Sequence, residues 1–187
     1  VRLTAKNFAT LMIIVSDNVA TNIMIDLLGL DNINKTCRDL GFADTTLHNK
    51  LDFEKYKLLG TTTPQDYGHL FEMIAQGQLW SPEISQEMVE ILRKQHYNRM
   101  LTKNMAQYLA PEDDGEELIY IASKSGSMNA CRNDGGIVYT PYGNYVVVVF
   151  TKEFSDPLYY NDHESYHFGA RISRLLFDQY IAREGSF

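Results

Sequence analysis

The chain has 187 residues, 44% of them hydrophobic and only 5 of them proline, which bounds it as a folded globular unit of one large domain or two small lobes. Its net charge of -7, with no Lys/Arg-rich block, excludes a surface built to track nucleic-acid phosphates. No stretch approaches the roughly 20 continuous apolar residues that span a bilayer, so no membrane span is expected.

In chain order, Lys6 to Gly29 reads as helical with a break inside. Phe8, Leu11, Met12 and Val15 form one apolar face, and Ala20, Ile23, Met24, Leu27 and Leu28 form another. Ser16-Asp17-Asn18 lies between them. Short polar side chains compete for backbone hydrogen bonds, which makes poor helix interior and good caps. The sequence therefore predicts a turn there, a second helix starting near Val19, Asp17 as its cap, and Gly29 as its stop. Asn32 to Leu40 forms a shorter helix ended by Gly41.

Periodicity fades from Phe42 to Thr63, which predicts a long surface loop of the functional kind. Thr63 then caps a helix that opens at Pro64, with Tyr67, Leu70, Phe71 and Ile74 on its buried side and Gly77 at its end. Ser81-Pro82-Glu83 opens another, on which Ile84, Met88, Ile91 and Leu92 are expected to face inward. A weaker helical segment is expected from Met100 to Leu109.

Composition changes at Pro111 to Glu117, which is acidic and turn-like and reads as a hinge. Residues 1–110 are thus expected to form a helical lobe, and 111–187 a sheet-and-helix lobe. Three strands are expected, at Leu118 to Ala122, Gly136 to Tyr139 and Tyr145 to Thr151, the last two joined through Pro141-Tyr142-Gly143-Asn144. Val146 to Phe150 is continuously apolar, as a strand buried on both faces would be. A last helix from His163, with Phe168, Ile172, Leu175, Leu176 and Tyr180 at helical spacing, is expected to cover the sheet.

The chemistry centres on Lys124-Ser125-Gly126. The triplet is expected at the end of the first strand, where a cation, a hydroxyl and a glycine present positive charge, a hydrogen-bond donor and bare backbone to an anionic ligand. Cys37 and Cys131 match no metal or redox spacing, and they read as two unpaired cysteines. Only His163 and His167 among five histidines are spaced by four, without a His-Glu-x-x-His, so neither metal nor other cofactor is expected.

Ser16-Asp17-Asn18, Ala20-Thr21-Asn22, Leu27-Leu28-Gly29, Thr62-Thr63-Pro64, Lys124-Ser125-Gly126 and Asp134-Gly135-Gly136-Ile137, in that order and spacing, resemble the penicillin-recognising serine hydrolases. The closest likeness is to a class A β-lactamase-like domain. The resemblance implies an α+β fold, with a helical lobe beside an antiparallel sheet covered by a C-terminal helix, the active site lying between lobes. It implies a β-lactam or related amide or ester substrate, or a peptidoglycan-like one, attacked through an acyl-enzyme. By it, Ser16 relays a proton to the departing nitrogen with help from Lys124. Asn18 meets the substrate's side-chain amide, Ser125 holds its carboxylate, Gly126 allows close approach, and the Ser127 N–H is half of an oxyanion hole. Asp17 is structural.

Three departures stand out. The family's Ser-x-x-Lys is absent, since Ser81, Ser85, Ser123 and Ser127 all lack a lysine three residues on, and the acylating serine cannot be assigned in this chain. The chain is also expected to lack the family's N-terminal helix and strands, so that another segment, an N-terminal fragment or a swapped element, covers the edge at Val147. In the long loop, Leu51 or Asp52 falls where the family has its glutamate, and Glu54 lies just beyond. A non-catalytic binding or structural domain is the competing expectation. An exported location follows from the resemblance alone.

Overall fold

A computed structural model describes residues 2–105, 108–109 and 119–182. It begins with three short helices, α1 (Ala5–Ile14), α2 (Asn18–Leu28) and α3 (Leu30–Asp39). The Ser16-Asp17 break falls where the polar triplet predicts it. The Asp17 carboxylate accepts the Ala20 N–H at 2.6 Å and caps α2, and Gly29 (φ 81°) closes it. The following loop has a closed neck, because β1 (Thr46–Leu47) pairs antiparallel with β2 (Gly60–Thr61).

Helices α4 (Pro64–Ala75) and α5 (Pro82–Leu92) come next, each with proline in its first turn and a hydroxyl cap, Thr63 or Ser81. The strands β3 (Tyr120–Met128), β4 (Cys131–Tyr139) and β5 (Tyr145–Lys152) form an antiparallel sheet in that order, and α6 (Glu164–Ala182) follows. In register, Ser125 opposes Asp134 and Asp134 opposes Val149.

Alternation along the strands divides the core into two layers. Ala122 and Ile137 point to one face and pack with Phe71, Ile74, Leu79, Val89 and Leu92 of the α4–α5 layer. Ile121, Val138, Val147 and Val149 point to the other and pack with Met100, Leu101, Met105 and Phe177. Helices thus cover both faces of the sheet, which explains the unbroken apolar run in β5.

Several expectations are corrected. On α5 the buried positions are Ser85, Val89 and Leu92, while Ile84 is exposed. Ser85 is small enough to bring the helix close, and its hydroxyl accepts from the Leu79 N–H and donates to the Leu79 carbonyl. On α6, Phe168, Leu175 and Leu176 are exposed, and Tyr166, Ala170, Ser173 and Phe177 face the sheet. Residues 100–105 form turns rather than a helix, because Asp134 takes the Leu101 N–H and Ser173 donates to the Leu101 carbonyl. β3 and β4 run longer than expected, so Lys124-Ser125-Gly126 lies within a strand and not at its end. The hinge at 111–117 lies outside the described residues. Among those residues β5 pairs with β4 alone, and no strand covers its other edge.

Candidate active site

Ser16 sits in the turn between α1 and α2 with φ 55°, a left-handed conformation that non-glycine residues rarely adopt. Strain of this kind costs about 1–3 kcal/mol and collects at functional sites. It aims the hydroxyl at β3, where the Lys124 ammonium donates to Ser16 Oγ at 2.6 Å. The two triplets, 108 residues apart, therefore meet. Lys124 also donates to the Ser125 carbonyl. Burial lowers the Lys124 pKa and the Asp134 charge partly restores it, which leaves an amine able to give and take a proton beside a hydroxyl.

A cavity of about 380 Å³ opens at this contact, lined by Ser16, Asn18, Ser125, Gly126 and Ser127 among others. Of the residues expected to meet the substrate or move its protons, all but Lys124 line it, and Lys124 is joined to it through Ser16. Asn18 is the first residue of α2 and is exposed. The Ser125 N–H donates out of the sheet, to the Gln95 side chain at 2.7 Å. In an antiparallel ladder, alternate residues turn both backbone groups the same way. The Ser127 N–H therefore points to the same outer edge of β3, and the Ser127 hydroxyl lies 3.1 Å from that of Tyr166.

The match to known proteins follows this geometry. Residues 1–180 fit the model of the Beta-lactamase enzyme family. The chain belongs to that family. It is similar to a β-lactamase from Sphaerobacter thermophilus, with 30% identity and a TM-score of 0.81 over 96% of this chain and 64% of that one. It is also similar to PBP-A, with 27% identity and a TM-score of 0.77 over 95% of this chain and 62% of the other. A point mutant of PBP-A, described as an acyl-enzyme complex with penicillin G, aligns at 28% identity and TM-score 0.76 over 95% and 62% of the two chains. The chain thus spans less than two thirds of the length of these relatives. No match was found among curated proteins.

In this β-lactamase family member the long loop is pinned by asparagine amides acting as backbone mimics. Asn22, one turn after Asn18 on α2, donates to the Leu51 carbonyl at 2.9 Å and accepts the Leu51 N–H at 2.8 Å. Asn34 does the same for Leu47, at 2.8 and 2.7 Å. The Asp52 carboxylate caps the turn that follows by accepting from the N–H groups of Glu54 and Lys55. Glu54 is exposed and does not line the cavity, whereas Phe53 does. Three short-listed loop positions thus receive a backbone anchor, a cap and a surface carboxylate.

Two buried groups beside the triplet are given no site role by the sequence, Asp134 counting only as the start of a strand motif and Gln95 not at all. Asp134 is 2% exposed and lines the cavity; burial pushes its pKa up to about 7, against the N–H donors of Leu101 and Gly135 and the charge of Lys124. Gln95, also buried, reaches Ser123 and Ser125. Lone polar residues 28 and 30 positions from their partners carry no signal in a single sequence. Among the described residues no group of histidine, cysteine or acidic side chains could hold a metal, and no helix is long and apolar enough to cross a membrane.

Proposed function

We propose that this cleft is the substrate site of a penicillin-recognising serine hydrolase that works through an acyl-enzyme. The observation that carries the reading is the 2.6 Å contact between the Lys124 ammonium and the Ser16 hydroxyl. A hydroxyl so placed accepts a proton from the lysine as it passes its own to a departing amide nitrogen, so protons balance at every step. The Lys124 charge and the Ser125 hydroxyl then hold the ligand's carboxylate, and Asn18 meets the amide of its side chain. The Ser127 N–H supports the oxygen of the attacked carbonyl. Gly126 lets an extended ligand lie close along the outer edge of β3.

The attacking serine belongs to a segment beyond these 187 residues in the whole protein, and the same segment completes the sheet along β5. A carboxylate to activate the deacylating water is missing at Leu51, and the exposed Glu54 is a poor substitute. The acyl-enzyme should accordingly be long-lived, which favours a penicillin-binding behaviour over fast β-lactam hydrolysis.

Incubation with benzylpenicillin followed by intact-mass measurement tests this. The full-length gene product should gain one penicilloyl adduct that persists for minutes or longer, and the 187-residue chain should gain none. A full-length product that stays unlabelled at millimolar benzylpenicillin would point to a non-catalytic domain that kept the cleft.

A further inference from the structure

Three consecutive residues touch both halves of the cleft. Gln95 is 7% exposed. Its Oε1 accepts the Ser125 N–H at 2.7 Å and the Ser125 hydroxyl at 2.8 Å, and its Nε2 donates to Ser123 Oγ at 2.6 Å. The His96 N–H donates to the Ile14 carbonyl at 2.9 Å, and the Tyr97 hydroxyl donates to the Val15 carbonyl at 3.1 Å. One end of the segment grips β3 at the lysine-serine pair. The other grips the two residues that precede Ser16. Adjacent Cα atoms are ~3.8 Å apart, so three residues leave little slack between the two grips.

The hydroxyl carries a second consequence. Ser125 Oγ has one hydrogen, and that hydrogen is on Gln95. The Ser125 N–H can only donate, which fixes the oxygen end of the Gln95 amide toward it. A carboxylate arriving at Ser125 must therefore draw the hydroxyl hydrogen away from Gln95, while the N–H bond to Gln95 stays in place.

We infer that Gln95 is a positioning residue. Together with Tyr97 it sets the distance between Ser16 and Lys124, and it competes with a ligand carboxylate for the Ser125 hydroxyl. The choice of carboxylate ligand rests on the proposed function; the positioning does not.

The 187-residue chain lacks Ser-x-x-Lys, so benzylpenicillin serves as a reversible probe of it. Backbone amide spectra of wild type, Gln95→Glu, Gln95→Met and Tyr97→Phe are recorded at pH 7.5, with titrations of benzylpenicillin and of its methyl ester. Without ligand, Gln95→Met should move the amides of both Ser125 and Ser16, and Tyr97→Phe, which removes a single oxygen, should move Ser16 and Lys124. Gln95→Glu keeps the shape and offers a charged acceptor, whose hydrogen bond is roughly twice as strong. It should weaken benzylpenicillin about tenfold and leave the ester within about twofold. Gln95→Met should bind benzylpenicillin at least as well as wild type.

An unchanged ratio of acid to ester affinity in Gln95→Glu would overturn the competition. Responses confined to Ser125 in Gln95→Met, and to Val15 in Tyr97→Phe, would overturn the positioning. If wild type binds neither ligand, the carboxylate reading fails, and the ligand-free spectra still decide whether residues 95–97 couple the two triplets.

Discussion

Two glycines on neighbouring strands, Gly126 on β3 and Gly136 on β4, should behave in opposite ways when given a methyl group. A Cβ on Gly136 would stand 2.5 Å from the Ala122 carbonyl oxygen, 2.6 Å from Ser123 Cβ and 2.8 Å from Ser123 Cα, where ordinary contact begins near 3.4 Å. Backbone cannot swing aside as a side chain can, so β3 must retreat from β4 by about 1 Å at the middle of their ladder. Stretched by that much, an N–H···O bond of about 2.9 Å is lost. Two lost bonds at ~1 kcal/mol each, with an overpacking cost of about 1–2 kcal/mol, give a total of about 3–4 kcal/mol. At ~2–4 °C per kcal/mol for a chain of this size, Gly136→Ala should melt roughly 6–16 °C lower than wild type. A Cβ on Gly126 meets nothing within 4 Å, and the residue lines the cleft. Gly126→Ala should melt with wild type or slightly higher, because a stiffer unfolded chain favours folding by up to ~1 kcal/mol. Its methyl stands where a ligand would lie against β3, so benzylpenicillin affinity should fall about tenfold or more. Thermal denaturation and a ligand titration on the same two proteins decide the matter. Equal melting of the two variants would refute the close β3–β4 packing at Gly136, and full affinity in Gly126→Ala would refute the placement of the cleft along this strand.

Further expectations concern the cleft's strained and titrating groups. Ser16→Gly relieves the left-handed backbone while Ser16→Ala keeps it, and both lose the bond to Lys124; by denaturant melts the glycine variant should be about 1 kcal/mol the more stable. Asp134 is driven by burial from 3.8 to about 7, so the folded state binds the extra proton between those values. Stability from this group is therefore full below about pH 4 and lost as the pH rises through 7, by at most about 4 kcal/mol. The unfolding free energy of wild type minus that of Asp134→Asn, measured from pH 4 to 7.5, should fall accordingly, in favour of the variant at the higher pH; a difference constant with pH would remove Asp134 from the account. In the full-length protein, Leu51→Glu places a carboxylate on the backbone that Asn22 holds, and the penicilloyl adduct should decay at least about tenfold faster by mass measurement.

Much of this molecule was legible because its signals are local. Ser16-Asp17-Asn18 breaks a helical pattern and Asp17 caps the next helix, for the reason that short polar side chains do both. Thr63-Pro64 and Ser81-Pro82 mark helix starts on the same grounds. The inward faces of α5 and α6 were harder, since periodicity weighs apolar side chains and overlooks a serine whose hydroxyl has a partner. Ser85 and Ser173 are buried on that account, while Ile84, Phe168, Leu175 and Leu176 face outward. β3 outlasts its apolar run because Ser125 and Ser127 turn their backbone groups to an open edge, where polarity carries no burial penalty. Residues 100–105 look helical by composition, but the bonds that shape them come from Asp134 and Ser173. Gln95 shows the limit most clearly. A buried amide acquires its meaning from partners that only folding brings within reach.

A crystal structure with benzylpenicillin in the cleft measures the central claim most directly. The account predicts the ligand's carboxylate within about 3.2 Å of Ser125 Oγ and close to Lys124 Nζ, with the lactam carbonyl oxygen within about 3.1 Å of the Ser127 nitrogen and the lactam nitrogen nearest Ser16. A ligand seated away from β3, for instance in the apolar groove of Leu28, Ile33, Leu40 and Leu70, would contradict it.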